Sequence, residues 1–412
     1  MEDQGFVLRK SRQNSGLFKT KQPRLTHLDI ELTERCNNAC MHCYINLPAG
    51  DLGAKQRELK TEQWKDILQQ AADLGALSVR FSGGEPLLRE DFMEIYLYTR
   101  RLGIAVYLFT NARLITAEIA DSFARIPPLR PIEISVYGMH PETYDAVACT
   151  PGAFAEFKRG VALLLEREVP FVVKSVLLPP NKADQDEFER WSANLPGMEK
   201  LPAYSIFLDL RARWDSATKN RTIKSLRFSP EEGLALLSKD TEDYRRSMAP
   251  FIANFLYPNG DELFNCGAGE GGCVDAYGQY QMCMLLRHPD FVYNLKSGTL
   301  REGLTIAFPR FKQTRATNPE YLRRCARCFL KGLCEQCPGK SWSEHGTLDR
   351  PVEYLCQVAH AQARFLGLLS EGERAWEVRD WKERIAAFGA SEQDDAHELD
   401  KIDNSTDDQG ER

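Results

Sequence analysis

Three cysteines within eight residues place the strongest constraint on how this chain can fold. Cys36, Cys40 and Cys43 follow directly after the apolar segment His27–Thr33, and a loop this short can bring their thiolates to one inorganic centre. A structural zinc site takes four protein ligands, whereas a cubane iron–sulfur cluster on three cysteines keeps one iron open for another ligand. Two hypotheses follow: an iron–sulfur centre with an open iron, or a zinc knuckle with a distant fourth ligand such as His42.

From Leu25 onward, short apolar runs alternate with amphipathic segments, which is the pattern of strand and helix units that build a parallel sheet. Strands are predicted at His27–Thr33, Ser78–Ser82, Ala105–Thr110, Ile132–Tyr137, Phe171–Leu177 and Tyr204–Leu210. Helices are predicted at Thr61–Leu74, Asp91–Leu102, Ala117–Arg125, Ala155–Glu168 and Asp184–Leu195, and from Pro230 onward. Six such units predict an α/β fold, a partial (β/α)6 TIM-like barrel that is incompletely closed.

A second motif lies at the same edge of the predicted sheet as the cysteine loop. Gly83-Gly84-Glu85-Pro86 follows the second predicted strand, as the cysteines follow the first. Active sites of parallel β/α sheets lie at the C-terminal ends of the strands, so both motifs are expected at the mouth of the barrel.

The pair of motifs resembles the radical S-adenosylmethionine (SAM) superfamily, in which a C-x3-C-x2-C-aromatic loop follows the first strand and a GGEP-type turn follows the second. Here Tyr44 is the aromatic residue. The resemblance implies an enzyme in which Cys36, Cys40 and Cys43 are the catalytic residues and hold a [4Fe-4S] cluster whose open iron binds SAM. Reductive cleavage of SAM then gives a 5′-deoxyadenosyl radical that abstracts hydrogen from carbon, and the protein orients the substrate toward this radical.

The same resemblance implies a set of SAM contacts. They are Tyr44 beside the adenine, Gly83 and Gly84 at the methionyl group, Glu85 at the amine, and Asn111 and Ser135 at the ribose or carboxylate. Glycines suit such a close backbone approach because they carry no Cβ. Lys174 stands amid the valines of the fifth predicted strand, and it is either a partner of the SAM carboxylate or an outward-facing surface lysine.

Eight further cysteines make a second field: Cys266, Cys273, Cys283, Cys325, Cys328, Cys334, Cys337 and Cys356. Eight ligands suffice for two four-cysteine sites, although the quartet from Cys325 to Cys337 alone could be a structural zinc site. With Gly278-x4-Cys283 upstream and a lone Cys356 downstream, the field resembles the SPASM extension of radical SAM proteins. That extension holds two auxiliary [4Fe-4S] clusters, so the resemblance implies three clusters in the chain.

The resemblance also implies how the ligands divide. Cys266, Cys273, Cys283 and Cys337 are expected at the cluster nearer the barrel, and Cys325, Cys328, Cys334 and Cys356 at the farther one. Two residues separate Cys334 from Cys337, where the family usually has three. Cys149 matches no family ligand and is predicted to be a half-buried structural thiol rather than a catalytic or substrate-linking one.

Composition and charge indicate how the chain is divided and which partners and compartment are expected. The predicted parts are a basic flexible arm (1–24), the barrel (25–228), a helical connector (229–262), a small cysteine-rich SPASM domain (263–370) and a charged C-terminal segment that is largely a disordered tail (371–412). A net charge of −6 argues against nucleic acid as a partner, and no apolar run is long enough for a membrane span. Twelve cysteines in metal-ligand patterns suit a reducing compartment, which predicts a cytoplasmic protein.

The residues Pro338, Glu344, Gly346, Pro351, Tyr354 and the run from Cys356 to His360 resemble a subgroup of SPASM-bearing peptide-modifying enzymes. The leading hypothesis is therefore a maturase that forms a C–S or C–C crosslink, or an oxidised residue, in a ribosomally made precursor peptide. The alternatives are a radical SAM dehydrogenase of a small molecule, and a non-enzymatic iron–sulfur electron-transfer protein or zinc-binding module.

The leading hypothesis also implies partners. The resemblance implies an electron donor of the flavodoxin or ferredoxin type. Only about 24 residues precede the first predicted strand, fewer than the ~50 residues of a domain, so a separate leader-peptide recognition protein is expected. Otherwise the chain would bind the peptide directly, with Arg211 and Arg213 available to an acidic leader.

Overall fold

Residues 25–213, 215–334 and 337–388 are described by the structure, a computed structural model, and they form two units. The first unit comprises the described residues up to Arg227 together with Cys266–Gln313, and the second comprises Phe228–Asn265 together with the described residues from Thr314 onward. Segment 263–370, predicted as one domain, is thus divided between the two units. The predicted basic arm (1–24) and residues 389–412 of the predicted tail lie outside the described residues.

A nine-stranded sheet forms the first unit. Its parallel strands are β1 (His27–Thr33), β2 (Ser78–Gly83), β3 (Ala105–Thr110), β4 (Ile132–Val136), β5 (Phe171–Val176) and β6 (Ala203–Ser205). Three short strands extend the sheet beyond β1: β7 (Cys273–Val274), β8 (Gln279–Gln281) and β9 (Val292–Asn294). The order is β9-β8-β7-β1-β2-β3-β4-β5-β6, with β7 parallel to β1. Five of the six predicted strands are confirmed, whereas only the start of the sixth, Tyr204–Leu210, lies in a strand. The sheet is open because β6 and β9 are its two ends.

Helices alternate with these strands as the sequence predicts. They are Leu52–Arg57, Thr61–Asp73, Phe92–Arg101, Ala117–Arg125, Pro141–Ala148, Ala153–Glu166, Gln185–Ser192 and Ala217–Ser225. A further helical stretch contains Leu300–Glu302, a π-helical turn at Gly303–Ala307, and Phe308–Lys312. Helix Thr61–Asp73 is typical, because Trp64, Ile67, Leu68 and Ala71 recur at helical spacing and are all buried.

The two faces of the sheet differ in chemistry. Alternate residues such as Ile30, Phe81 and Ile134 are fully buried, and the Phe81 ring contacts Phe92 of a covering helix. The residues between them, including Arg80 and Glu133, point to the opposite face and are half-buried. The sheet therefore has an apolar helix-covered face and a polar inner face.

The second unit is helical, and its helices include Pro230–Leu237, Thr241–Phe255, Pro319–Arg323, Lys331–Cys334, Pro338–His345 and Glu353–Phe365. Its core includes Ile252, Leu256, Phe329, Ala363, Leu366, Ala375 and Phe388. The predicted connector is therefore helical but belongs to this core, and so do residues from the start of the predicted tail. Within the described ranges, none of the helices combines the length and the apolar composition that a membrane span requires.

Candidate active site

The cysteine loop and the glycine turn meet at the C-terminal ends of β1 and β2. The Gly84 N–H donates to the Thr33 carbonyl oxygen at 2.7 Å, and the Glu85 N–H donates to the Arg35 carbonyl oxygen at 2.9 Å. The loop itself is closed at its base, where Arg35–Cys36 pairs with Leu47–Pro48. The sequence places both motifs at one sheet edge, and the backbone hydrogen bonds join them there.

The two glycines of the turn allow this close approach. A Cβ at Gly84 would overlap the Arg35 carbonyl oxygen, and a Cβ at Gly83 would overlap that of Thr33. Gly83 also has a φ of +136°, which favours glycine. These glycines are expected to leave space for the methionyl group of SAM, whereas in the structure the backbone of Thr33 and Arg35 fills the positions of the missing Cβ atoms.

The three thiols of the loop lie close enough to influence one another. Cys40 is buried, while Cys36 and Cys43 are half-buried. Burial raises the pKa of Cys36, and the nearby Glu85, Cys40 and Cys43 raise it further, while the Asn38 N–H opposes them from 3.3 Å. Neutral thiols are disfavoured once a metal binds, because the thiolate is the ligand. The loop thus offers three thiol ligands that lie near one another.

These thiols do not meet at one point. Among the described residues, no three His, Cys, Asp or Glu side chains are placed to hold a single metal ion. A cubane cluster binds each cysteine through a different iron, so its ligands surround a volume rather than a point. Next to the loop, the Nδ1 atom of His42 is buried without a hydrogen-bond partner in the described part of the chain. Burial lowers the pKa of this imidazole to about 4.

Two buried arginines hold the cysteine loop, a role that the sequence predicts for neither of them. Arg113 donates to the Asn37 carbonyl oxygen at 2.6 Å, between the first two ligands. Arg211 donates to the Cys43 carbonyl oxygen at 2.8 Å and to Oδ1 of Asn46 at 3.1 Å. Their positions far along the chain from the loop leave no local motif by which sequence reasoning could find them.

The expectation that Arg211 is available to an acidic leader is wrong. Its side chain is 1% exposed and it pairs with Asp215 through both carboxylate oxygens, at 2.7 and 2.8 Å. Arg213 forms ion pairs with Glu34 and Asp215. A buried guanidinium with its hydrogen bonds already made holds the fold together instead of recruiting a ligand.

Glu85 and Asn111 connect the turn to the end of β3. The Glu85 carboxylate accepts hydrogen bonds from the Asn111 N–H at 2.9 Å, the Leu87 N–H at 3.1 Å and the Thr110 hydroxyl at 2.9 Å. Burial nevertheless raises the pKa of Glu85 to about 7. The Asn111 amide donates to Oδ1 of Asn37 at 2.8 Å and lies 3.9 Å from the Cys36 sulfur. Both candidate residues are therefore beside the cysteine loop.

Ser135 and Lys174 lie opposite each other on β4 and β5, and both are half-buried on the polar inner face. The Lys174 ammonium is 2.9 Å from the Glu133 carboxylate and 3.1 Å from the centre of the Phe109 ring. Burial lowers the pKa of Lys174, while Glu133 opposes that shift. Lys174 thus lies on the polar inner face of the sheet, and its charge is compensated by the Glu133 carboxylate.

Tyr44 belongs to a buried ionic group at the end of β1 that sequence reasoning does not identify. Its hydroxyl donates to Glu31 at 3.3 Å. Glu31 also pairs with Arg287, whose guanidinium lies 3.2 Å from Glu34 and 3.7 Å from Asp275. Burial raises the pKa of Glu31, and Arg287 opposes this. The group joins the strand before the cysteine loop to the segment that carries the next cysteines.

The cysteines assigned to the nearer auxiliary cluster are divided between the units. Cys266, Cys273 and Cys283 belong to the first unit, and Cys337 belongs to the second. Cys266 is exposed, Cys273 is buried on β7, and Cys283 is half-buried. Burial raises the pKa of Cys283, and the nearby Cys266 adds to it. Cys149 is exposed, so the prediction of a half-buried thiol is wrong.

The four cysteines assigned to the farther cluster line one small cavity in the second unit: Cys325, Cys328, Cys334 and Cys356. Burial raises the pKa of Cys325 and of Cys328 to about 12, with a further contribution from the neighbouring Cys356. Arg324, His360 and Trp376 also line this cavity. Four thiols around one space provide the ligand set of a four-cysteine iron–sulfur cluster, whose ligands surround a volume rather than a point.

Known proteins resemble this chain in the region that carries the candidate site. Residues 30–191 match the model of the Radical SAM superfamily. The AdoMet-dependent heme synthase of Methanosarcina barkeri is 27% identical over 347 residues, which are 79% of this chain and 94% of that protein. The PqqA peptide cyclase of Xanthomonas axonopodis pv. citri is 33% identical over 153 residues, 36% of this chain. This second match spans only 39% of the cyclase.

Solved structures show the same fold. Streptococcus suis SuiB bound to S-adenosylmethionine has a TM-score of 0.59 at 18% identity, covering 83% of this chain and 79% of that one. Native anSMEcpe with bound AdoMet and Cp18Cys peptide has a TM-score of 0.57 at 15% identity, covering 84% and 97% respectively. The family match begins within β1 and includes both the cysteine loop and the glycine turn that the fold brings together. Within this chain, residues 30–191 are thus similar to the Radical SAM superfamily.

Proposed function

We propose that this chain is a radical SAM peptide maturase that forms a C–S or C–C crosslink, or an oxidised residue, in a ribosomally made peptide. The observation that carries the proposal is the junction of the Cys36–Cys43 loop with the Gly84–Glu85 turn at one sheet edge. A relative named PqqA peptide cyclase, 33% identical over 153 residues, supports a peptide as the substrate class.

The residues at this edge fit a [4Fe-4S] cluster and SAM. Cys36, Cys40 and Cys43 would hold the cluster, because no fourth side chain is needed where one iron takes SAM. Bound there, the cluster and SAM would supply hydrogen-atom abstraction. Asn111 lies beside the loop, while Ser135 and Lys174 belong to the polar inner face, so these residues would orient the bound molecule. Tyr44, Gly83, Gly84 and Glu85 complete the proposed SAM site.

Two auxiliary [4Fe-4S] clusters are part of the proposal. The farther one is supported by the cavity that Cys325, Cys328, Cys334 and Cys356 share in the second unit. The nearer one would take Cys266, Cys273, Cys283 and Cys337. The two clusters held by these eight cysteines would then exchange electrons with a donor of the flavodoxin or ferredoxin type.

A small-molecule substrate is the second candidate. The heme synthase match favours it, since that alignment covers 94% of the relative, whereas the cyclase alignment covers 39%. The polar inner face, with charged residues such as Arg80 and Lys174, would accommodate either a peptide side chain or a charged metabolite. Substrate assays must therefore include both classes.

The deciding experiment uses the full chain, reconstituted anaerobically with iron and sulfide, and supplied with SAM and dithionite. Formation of 5′-deoxyadenosine is measured by chromatography, and a precursor peptide encoded beside the gene is analysed by mass spectrometry. We expect 5′-deoxyadenosine together with a loss of whole hydrogen masses from the peptide. Parallel reactions with and without a candidate leader-binding protein test whether recognition needs a partner.

The matched control replaces Cys36, Cys40 and Cys43 by Ala together. This variant should form no 5′-deoxyadenosine and should lose about four irons of about twelve, which leaves both auxiliary clusters. Turnover of a tetrapyrrole or another metabolite without any change in the peptide would reject the peptide class. About two zinc ions and four irons per chain would reject the auxiliary clusters while leaving the radical SAM site in place.

A further inference from the structure

Two hydrogen-bond donors of the second unit converge on the sulfur of Cys356. Nη2 of Arg324 lies 3.5 Å from this sulfur, and Nδ1 of His360 lies 3.7 Å from it. All three residues line the cavity that holds the other three cysteines of the farther cluster. Cys356 therefore differs from a bare thiolate ligand, because two nitrogen groups are placed beside it.

The hydrogen bonds of His360 determine which ring nitrogen carries the proton. Its Nε2 accepts a hydrogen bond from the Ala375 N–H at 3.2 Å, so in the neutral ring the hydrogen is on Nδ1. Nδ1 donates to the Cys356 carbonyl oxygen at 2.7 Å and also faces the sulfur of the same residue. The imidazole thus presents a donor, not a lone pair, to the thiolate.

Arg324 is held in place from three sides. Its guanidinium donates to both carboxylate oxygens of Glu353, at 2.6 and 3.0 Å, and to Glu320 at 2.8 Å. It also lies over the ring of Trp376, 4.8 Å from the centroid, and that ring packs edge-on against His360 at 5.5 Å. With its side chain only 13% exposed, Arg324 keeps its position beside the sulfur.

We propose that Arg324 and His360 raise the reduction potential of the farther auxiliary cluster by donating hydrogen bonds to the Cys356 thiolate. This inference rests on the proposed function, in which Cys325, Cys328, Cys334 and Cys356 hold a [4Fe-4S] cluster. Reduction adds one electron and makes the cluster more negative, so donors that face a ligand sulfur stabilise the reduced form more than the oxidised form. Arg324 and His360 are positioning residues for electron transfer and need not touch the substrate.

The experiment compares midpoint potentials in the full reconstituted chain, measured by anaerobic dithionite titration with paramagnetic resonance detection. Arg324→Gln should make reduction of one cluster at least tenfold less favourable, which is about 59 mV for a one-electron couple. His360→Phe should shift the same signal in the same direction. Arg323→Gln is the matched control, because this neighbouring arginine is exposed and its loss should leave every potential unchanged.

A second variant separates the lost donor from the carboxylate that it leaves unpaired. Arg324→Gln combined with Glu353→Gln removes both charges, and the potential should stay below that of the parent protein. Recovery of the parent value would assign the shift to Glu353 and overturn the role of the donor. Unchanged potentials in both Arg324→Gln and His360→Phe would overturn the proposal, as would loss of iron in both.

Failure of the underlying function gives a different result. Cys325→Ala combined with Cys356→Ala should remove about four irons from the parent protein. If the iron content does not change, these residues hold no cluster, and the proposed function fails in this part. If the double cysteine variant loses iron while Arg324→Gln and His360→Phe keep the parent potentials, the assignment of the cluster to these cysteines stands. Only the proposed effect of Arg324 and His360 on the potential is then rejected.

Discussion

Arg211 donates a hydrogen bond to the carbonyl oxygen of Cys43 at 2.8 Å, across 168 positions of the sequence. The same guanidinium pairs with the exposed Asp215, so one buried arginine fixes the backbone directly after the third ligand of the cysteine loop. A cluster with an open iron needs ligands that keep their spacing while SAM binds and leaves. Arg211 supplies that rigidity from the segment that follows β6.

Arg211→Ala should destabilise the protein and impair loading of the first cluster. Removing the buried guanidinium costs about 3 kcal/mol, because the Cys43 carbonyl oxygen and Oδ1 of Asn46 lose their hydrogen-bond donor. The free energy of unfolding and the iron content report the two effects. Arg221→Ala is the control, since Arg221 is exposed, and its loss should change stability by no more than about 0.5 kcal/mol. Equal stability and iron content in both variants would refute the role of Arg211.

Gly84→Ala should separate the cysteine loop from the turn. The added Cβ would overlap the Arg35 carbonyl oxygen, and backbone atoms on both sides cannot yield as a flexible side chain can. We expect a loss of iron from the first site and of SAM binding, measured by iron analysis and calorimetric titration. Gly50→Ala has free space around its Cβ and should behave as the parent protein. A Gly84→Ala protein with full iron content and normal SAM affinity would contradict this account.

Lys174→Ala should weaken SAM binding if its ammonium recognises the SAM carboxylate. A charge-assisted contact contributes about 1.5 to 3 kcal/mol, so the dissociation constant should rise roughly tenfold to a hundredfold. Because Glu133 pairs with Lys174 at 2.9 Å, the Glu133→Gln variant tests whether the lysine serves SAM or only its neighbour. Lys158→Ala provides a control with an exposed lysine near the Phe154 ring. Unchanged affinity in Lys174→Ala would show that this lysine does not bind SAM.

Glu85 should make stability depend on pH. Its pKa is about 7 in the folded protein and near its ordinary value of 4.5 when unfolded, so folding favours the protonated form. This contribution is fully present below pH 4.5 and is lost as the pH rises through 7. Relative to Glu85→Gln, the free energy of unfolding of the parent protein should therefore fall by about 3 kcal/mol across this window. Parallel pH profiles of the two proteins, measured by urea unfolding, would refute the shifted pKa.

The strands of the barrel are readable from the sequence because each has a buried face with a period of two residues. The sixth shows where that signal fails. The apolar run Tyr204–Leu210 predicts a strand, yet only Ala203–Ser205 pairs with β5. Leu208 and Leu210 instead pack in a cluster with Val147, Leu178 and Ile223. Apolar content alone does not distinguish a strand from a buried segment of irregular backbone.

The residues of the candidate site also differ in whether the sequence predicts them. Cys36, Cys40 and Cys43 are identifiable because a metal centre needs these side chains at short spacing. Arg287 and Glu31 are not, since their ion pair joins positions 256 residues apart and neither lies in a motif. Partners that meet only after folding leave no pattern in the neighbouring sequence.

The chain leaves the first unit after Arg227 and returns at Cys266, and β7, β8 and β9 belong to the returning segment. A ribosome releases the chain from its N-terminus, and domains tend to fold as their residues emerge. During synthesis, the edge of β1 that pairs with β7 therefore stays without its partner strand until Phe228–Asn265 of the other unit has been made. Nor can either unit be cut from the gene as one continuous piece, so a shortened version that ends before Asn294 would carry the cysteine loop on an unfinished sheet.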